Sequence, residues 1–114
     1  KELASIASAI YNNAGIIAAN CIGVSALLAI RTTDGKRFVN GRKLTSFTND
    51  EEALNGLTND VKFLPEDELK KSGATFEKGE AFKSHVVVDN RLITGQNADS
   101  ATDVGEAVIK ALLK

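Results

Sequence analysis

An unbroken apolar run near the start of the chain, closed by a cysteine and a glycine, limits the fold more than any other stretch. Residues 15–19 read Gly-Ile-Ile-Ala-Ala and are followed by Asn20, Cys21 and Gly23. Uninterrupted runs of this length are typical of strands buried on both faces, as in parallel sheets, rather than of half-exposed strands. Such a strand needs parallel neighbours and covering helices, so we predict a layered α/β fold.

The rest of the chain alternates between helical and extended patterns, as expected of one α/β domain. The last helix is expected to turn Val104, Val108, Ala111 and Leu112 inward. We predict helices over residues 5–10, 23–30, 49–56, 65–71 and 100–113, and strands over residues 15–19, 43–47, 74–78, 85–88 and 92–94.

The buried strand comes early in the chain, after a single helix. A doubly wound sheet usually takes some of its parallel strands from sequence before its central strand, and few candidates for such strands are present here. We therefore expect residues 1–114 to be the C-terminal portion of a larger α/β domain. Its N-terminal portion, from the same precursor or a second chain, is then the first expected partner.

Composition excludes several classes of function. The chain has 14 Lys or Arg against 15 Asp or Glu, so it offers no general field for nucleic acid or anionic lipid. A single Cys and a single His make neither an internal disulfide nor a Cys/His zinc site, and we expect no metal or cofactor. No apolar run approaches the roughly 20 residues that span a bilayer, and no signal peptide is recognisable. We expect a cytoplasmic protein.

Cys21 lies between the predicted strand and a helix that follows it, in the small-x-nucleophile-x-Gly pattern of a nucleophile elbow. Ala19 and Gly23 are small, which we attribute to close passage of strand and helix. The turn is expected to present the sulfur at the carboxyl edge of the sheet, near a helix N-terminus that favours thiolate. The backbone N–H of Ile22 is the candidate oxyanion donor. The alternative is an inert, buried cysteine that acts as a small hydrophobe.

Four ordered blocks resemble the ThiJ/PfpI superfamily of class I glutamine amidotransferase-like proteins, and they cover most of the chain. Residues 18–24 (AANCIGV) resemble its elbow, Ala-Ala-x-Cys-His-Gly-Pro. Residues 41–52 (GRKLTSFTNDEE) resemble Gly-Lys-x-Val-Thr-Gly-Phe-Thr-Asn-x-Glu-Glu, and residues 63–74 (FLPEDELKKSGA) its phenylalanine-leucine helix and turn. Residues 86–97 (VVVDNRLITGQN) match Val-Val-Val-Asp-Gly-x-Leu-Ile-Thr-Gly-Gln-Asn. The most similar branch is the heat-shock chaperone and glyoxalase III group.

The resemblance implies a flavodoxin-like (Rossmann-like) sheet with helices on both faces, usually assembled as a dimer, so we expect a homodimer or heteromer. In active members a Cys nucleophile works with a His and with a Glu from the N-terminal half. They convert methylglyoxal to lactate without glutathione, through a thiohemiacetal on the sulfur. Deglycation and chaperone activity are also attributed to the group.

This chain departs from that pattern where the imidazole should be. The His that follows the nucleophile is Ile22 here, and Phe47 stands near the position from which other branches take their His. A missing general base typically costs about 10²–10⁴-fold in rate, so we expect weakened glyoxalase chemistry. His85 is interpreted as a strand-edge or interface histidine, because it has no metal partner or dyad in the sequence.

The resulting hypothesis is cysteine-dependent chemistry on small reactive carbonyls, with Cys21 as nucleophile and Ile22 N–H as oxyanion donor. Asn20 and Gly95 are candidate substrate contacts, although both have ordinary roles at a strand end and in a turn. Glu51 and Glu52 are interpreted as charges of a helix N-terminus, and the acid/base carboxylate is expected from outside the chain.

Two other functions stay open. One is a catalytically impaired stress-response chaperone or oxidation-sensing binding protein, in which Cys21 is oxidised to a sulfinate. The other is a cysteine hydrolase or amidase on a different substrate.

Overall fold

The computed structural model describes residues 2–32, 34–54 and 64–113. Helices and strands alternate along these ranges, as predicted for an α/β chain. They are α1 (Glu2–Asn12), β1 (Ile17–Asn20), a 3₁₀ helix (Cys21–Ala29), β2 (Lys43–Leu44), α2 (Asn49–Leu54), α3 (Pro65–Lys71), β3 (Thr75–Phe76), β4 (Val86–Asp89), β5 (Leu92–Gly95), a 3₁₀ turn (Ala98–Ser100) and α4 (Ala101–Leu112).

The larger sheet is mixed and has the strand order β1-β5-β4. β1 runs parallel to β5, with Asn20 opposite Gly95, whereas β4 runs antiparallel to β5, with Val86 opposite Gly95. β2 and β3 form a separate parallel pair. The sheet with its helices confirms the predicted α/β class. β1 is an edge strand among the described residues, because β5 is the only strand paired with it there.

β5 is buried along its whole length, because successive side chains of a strand point to opposite faces and both faces are covered. Leu92 belongs to the main core, together with Val24 and Leu27 of the 3₁₀ helix. α4 packs against β1, β4 and β5. Burial of each large apolar side chain contributes about 1.5–3 kcal/mol. The rest of this core consists of Ile17, Ile30, Phe38, Val39, Leu44 and Leu69.

The helix predicted at the start of the chain is confirmed as α1, but the apolar side chains on one of its faces are largely exposed. Leu3, Ile6 and Ile10 are 67%, 58% and 44% exposed. They line a groove of about 670 Å³ together with residues of β1 and the 3₁₀ helix. Cys21 is not among the residues that line this groove.

Three local predictions differ from the structure. Leu112 is 70% exposed, because it lies about 80° around α4 from the buried Val104. The helix after β1 begins at Cys21 and is a 3₁₀ helix. The strand predicted over residues 43–47 ends at Leu44. The predicted helix end near Gly56 lies outside the described residues.

Helices α2 and α3 are joined by a buried carboxylate. Glu66 is 2% exposed and accepts hydrogen bonds from the backbone N–H of Asn49 (2.9 Å) and from Lys70 Nζ (2.6 Å). Burial alone would raise the pKa of Glu66, but these donors and the charges of Lys70 and Lys78 hold it below its ordinary value. Within the described ranges, no helix is long and apolar enough to cross a membrane.

Candidate functional site at the carboxyl end of β1

Cys21 occupies a sharp turn between β1 and the 3₁₀ helix. Its φ is 57°, in the left-handed region that non-glycine residues rarely adopt and that costs roughly 1–3 kcal/mol. The side chain is partly exposed rather than buried among aliphatic groups. The structure therefore places a strained, partly exposed cysteine between a strand and a helix.

The prediction that Gly23 is small because strand and helix pass close together there is wrong. A Cβ added there would have no heavy atom within 4 Å, so close packing of strand and helix does not require glycine. Gly23 is exposed and lines the open groove beside α1. The sequence pattern of the elbow is present, but the space above Gly23 is empty in the described part of the chain.

The electrostatic surroundings of the sulfur oppose the thiolate. Partial burial raises the pKa of the Cys21 thiol above its ordinary value, and the charges of Glu51 and Glu52 raise it further. The backbone N–H of Ile22 lies against the sulfur and lowers the pKa, but it does not offset the other effects. The expectation that the helix N-terminus alone favours thiolate is therefore wrong. Partial burial and the two carboxylates thus favour the neutral thiol of Cys21 over its thiolate.

Asn20 and Gly95 lie side by side at the carboxyl ends of the parallel strands β1 and β5. A Cβ at Gly95 would lie 2.2 Å from Asn20 Oδ1 and 2.5 Å from Val104 Cγ2, so only glycine fits beneath the amide. Asn20 Oδ1 is buried and has no hydrogen-bond partner among the described residues. Gly95 thus has a packing role, and Asn20 carries an unused acceptor next to Cys21.

Glu51 is the centre of a buried hydrogen-bond network. It forms a reciprocal capping box with Thr48, whose N–H donates to Glu51 Oε1 at 3.1 Å while Glu51 N–H donates to Thr48 Oγ1 at 3.1 Å. Its carboxylate also accepts from Gln96 Nε2 (3.1 Å), Asn97 Nδ2 (2.8 Å) and the N–H of Phe82 (2.8 Å). Burial alone would raise the pKa of Glu51, but these donors lower it below its ordinary value. Glu51 is therefore an anion that holds the site together.

This network fixes two aromatic rings near the elbow. Phe82 has a φ of 58° and is held there by its hydrogen bond to Glu51. Its ring meets that of Phe47 edge to face, with the centroids 6.4 Å apart. The N–H of Phe47 in turn donates to the carbonyl oxygen of Cys21 at 3.5 Å. Together with Ile22, which is 51% exposed, these residues give the site an apolar rim.

Glu52 is the residue that sequence reasoning missed. It is 1% exposed, its charge acts on Cys21, and its Oε2 atom is buried without a hydrogen-bond partner in the described part of the chain. The interpretation of Glu51 and Glu52 as charges of a helix N-terminus agrees with their place in the first turn of α2, but both side chains are buried there. A signal was available: Thr48-x-x-Glu51 is a complete capping box, so Glu52 is not needed as a cap.

His85 directly precedes β4, and Cys21 directly follows β1. Both therefore lie at the same end of the strands, but β5 separates them, at roughly 10 Å. Its N–H donates to Ser100 Oγ at 2.9 Å, and its ring packs against Gly79, where a Cβ would lie 3.0 Å from it. His85 is not among the groups that shift the pKa of Cys21. This placement agrees with the strand-edge interpretation. In the described ranges, no group of three or more His, Cys, Asp or Glu is arranged to hold a metal ion.

Comparison with known proteins gives consistent relatives, although no protein-family model matches the chain. It is 31% identical to Glyoxalase 3 of Candida albicans over 117 residues, and 34% identical to the glutathione-independent glyoxalase HSP31 of Saccharomyces cerevisiae over 119 residues. These matches cover 97% and 98% of this chain and 50% of each relative.

The solved structures agree with the sequence comparison. Rapid Encystment Protein 24 kDa of Francisella tularensis superposes with a TM-score of 0.93 at 37% identity, over 96% of this chain and 48% of that one. Glyoxalase III of Candida albicans superposes with a TM-score of 0.89 at 31% identity, over the same shares of the two chains. The chain thus spans about half the length of the relatives it matches. On these residues, this fold and these relatives, the homologues of this chain include glyoxalase III and glutathione-independent glyoxalase proteins of the ThiJ/PfpI superfamily.

Proposed function

We propose that this chain carries the nucleophile half of an enzyme that converts small 2-oxoaldehydes to 2-hydroxy acids without glutathione, or removes their adducts from proteins. The observation that carries the proposal is Cys21, partly exposed in a left-handed turn with the N–H of Ile22 against its sulfur. The names of two relatives, Glyoxalase 3 and glutathione-independent glyoxalase HSP31, support the same chemistry.

The proposed reaction begins when the Cys21 sulfur adds to the aldehyde carbon, which forms a C–S bond and leaves an alkoxide that takes up a proton. The N–H of Ile22 stabilises that oxygen. A base then removes the proton from the aldehyde carbon, and the adjacent carbonyl carbon receives a proton, which gives a thioester. Water hydrolyses the thioester, so the sum is one 2-oxoaldehyde plus one water giving one 2-hydroxy acid.

We propose Glu52 as a carboxylate that serves this proton transfer from within the chain. It is buried, it acts electrostatically on the sulfur, and one of its oxygens has no partner among the described residues. Because the family's His is replaced by Ile22, no imidazole stands between Glu52 and the nucleophile. The raised pKa of Cys21 agrees with weak basal activity.

We propose that an N-terminal portion of the same fold, on the same precursor or a second chain, completes the protein. β1 has a free edge in the described part of the chain, and the 670 Å³ groove beside it is lined by apolar residues of α1 and the 3₁₀ helix. We also propose a cytoplasmic location, because a functional free thiol needs a reducing compartment. Assembly as a dimer is a further part of the proposal.

The experiment is a methylglyoxal assay on the full-length protein, with lactate measured as product. The proposal expects slow turnover that disappears in Cys21→Ala, while Glu106→Gln, a change on the exposed face of α4, leaves it unchanged. Lactate production that survives in Cys21→Ala would overturn the proposal.

The second candidate is a catalytically impaired chaperone or oxidation sensor, and the observation that favours it is Ile22 in the place of the imidazole. It expects no turnover, together with suppression of client aggregation that Cys21→Ala leaves intact. The sensor form additionally expects mild peroxide to add two oxygen atoms to Cys21, detected by mass spectrometry.

A further inference from the structure

We propose a second binding site, for a phosphate group, in a cleft on the side of the fold where α1 ends. The cleft has a volume of about 200 Å³ and lies between the end of α1, the turn after the 3₁₀ helix and the β4–β5 hairpin. Arg31, Arg42 and Arg91 line it, together with Tyr11 and Phe38. None of these residues belongs to the Cys21 site, so the proposal is independent of the proposed function.

Two of the guanidinium groups are held against one aromatic ring. The Cζ atoms of Arg42 and Arg91 lie 4.7 Å and 4.0 Å from the centroid of Tyr11, so they are no more than about 9 Å apart. Arg42 also lies 4.2 Å from the ring centroid of Phe38, which packs edge to face on Tyr11. Aromatic faces attract cations, so this arrangement holds both charges in place.

Backbone carbonyls orient these arginines without neutralising them. Arg42 donates through Nε to Phe38 O (2.7 Å) and through Nη1 to Tyr11 Oη (2.9 Å). Arg91 donates through Nη1 to Tyr11 O and to Gly15 O (3.1 Å), so it satisfies the end of α1. A guanidinium carries five N–H donors, and each group therefore keeps donors for a ligand.

No carboxylate compensates these charges among the described residues. The ion pairs in those ranges join Lys70 or Lys78 to Glu66 or Asp50, which lie elsewhere in the fold. Asp34 does not line the cleft, and its carboxylate accepts hydrogen bonds from Thr32 Oγ1 and from the backbone N–H of Lys36. Half-buried cations that repel one another and lack a counter-charge favour an anion between them.

The chemistry of the donors selects phosphate. Arginine is always charged and presents a planar fork that binds phosphate oxygens in pairs, whereas one flat carboxylate cannot engage three guanidinium groups at once. The cleft has the volume of about six or seven water molecules, which suits inorganic phosphate or the phosphate of a small organic ester but not a nucleotide.

The test is calorimetric titration of the full-length protein with inorganic phosphate, glycerol phosphate and acetate, at constant ionic strength. We expect saturable binding of at least one of the two phosphates, and Arg31→Gln to weaken it about tenfold, the effect of losing one charge-assisted hydrogen-bond donor. Arg31 is exposed, so its replacement spares the fold. Lys36→Gln removes the same charge from the same turn but does not line the cleft, and we expect it to bind as wild type.

Each outcome decides the proposal. Tighter binding of the ester identifies a small phosphorylated molecule as the ligand, and equal binding identifies the free ion; both support a phosphate site. Arg42→Lys, with folding checked by circular dichroism, is expected to weaken binding because it keeps the charge but loses the fork. The site is refuted by no saturation, by acetate binding as tightly as phosphate, or by an equal loss in Arg31→Gln and Lys36→Gln.

Discussion

Glu51 Oε2 lies 2.8 Å from Asn97 Nδ2, a side chain 46 residues further along the chain. This hydrogen bond links the first turn of α2 to the segment after β5. Through the same carboxylate, the loop that carries Phe82 is attached to both. The geometry around Cys21 therefore depends on one buried anion.

Replacing that anion should destabilise the fold. The Glu51 carboxylate accepts five hydrogen bonds, two from Thr48 and one each from Gln96, Asn97 and Phe82. In Glu51→Gln an amide group faces some of these donors. We expect a loss of about 2–4 kcal/mol in the free energy of unfolding, measured in urea. The control is Glu77→Gln, an exposed carboxylate, which should change stability by less than about 0.5 kcal/mol. Equal stability of the two variants would contradict the role given to Glu51.

The lowered pKa values of Glu51 and Glu66 predict how the stability of the fold depends on pH. Because the folded-state pKa values of Glu51 and Glu66 are lowered, their contribution is fully present above the ordinary pKa of Glu, near 4.3, and is lost as the pH falls through the lowered folded values. We expect urea midpoints to fall steeply below about pH 4. In Glu51→Gln the slope of stability against pH should be shallower over this range; an unchanged slope would argue against the assignment.

The reactivity of Cys21 should be low and sensitive to one neighbour. Because the pKa of Cys21 is raised, iodoacetamide should react slowly at pH 7 and faster as the pH rises above the ordinary thiol range. Glu52→Gln removes a negative charge that acts on the sulfur, so it should increase the rate at pH 7 severalfold. Glu106→Gln, on the exposed face of α4, is the matched control. A rate that Glu52→Gln leaves unchanged would show that the two groups are not coupled.

Restoring an imidazole beside the nucleophile should increase turnover. Ile22 is 51% exposed, so Ile22→His should fold normally and supply an imidazole base beside the nucleophile. We expect methylglyoxal turnover to rise about 10²–10⁴-fold, the usual contribution of a positioned base. Ile22→Gln, polar but not basic, should show no gain, and adding Glu52→Gln to Ile22→His should remove most of it. If Ile22→His and Ile22→Gln behave alike, catalysis at this site does not depend on a base at position 22.

Two glycines of the site should respond differently to a methyl group. Gly95→Ala would bring a Cβ within 2.2 Å of Asn20 Oδ1 and 2.5 Å of Val104 Cγ2, so we expect a loss of about 1–3 kcal/mol in stability. Gly23→Ala meets nothing within 4 Å and should be neutral or slightly stabilising in the isolated chain. If Gly23→Ala instead destabilises the full-length protein, the space above Gly23 is filled there by the proposed N-terminal portion.

Local patterns in the sequence predict the framework of this fold well. The apolar run before Asn20 predicts β1, and the small-residue pattern predicts the turn at Cys21. Gly73, where φ is 93°, predicts that α3 stops just before it, and the helix ends at Lys71. Each of these depends on residues that are close in sequence. The 3₁₀ character of the helix after Cys21 has no comparable local signal.

The electrostatics of the site could not be predicted in the same way. Acidic residues at a helix start are usually solvated, and the burial of Glu51 and Glu52 depends on side chains more than 30 residues away, such as Phe82 and Asn97. The pKa of Cys21 is raised first by its partial burial and then by the charges of these two buried carboxylates. The position of Cys21 at a helix N-terminus would by itself predict a lowered pKa, whereas the pKa is raised.

Among the described residues one edge of β1 is unpaired, and it lies beside the exposed stripe of Leu3, Ile6 and Ile10. An unpaired strand edge next to exposed apolar side chains can pair with a strand of another molecule, including β1 of a second copy. Expressed alone, this chain should aggregate, and co-expression with the proposed N-terminal portion should prevent that aggregation.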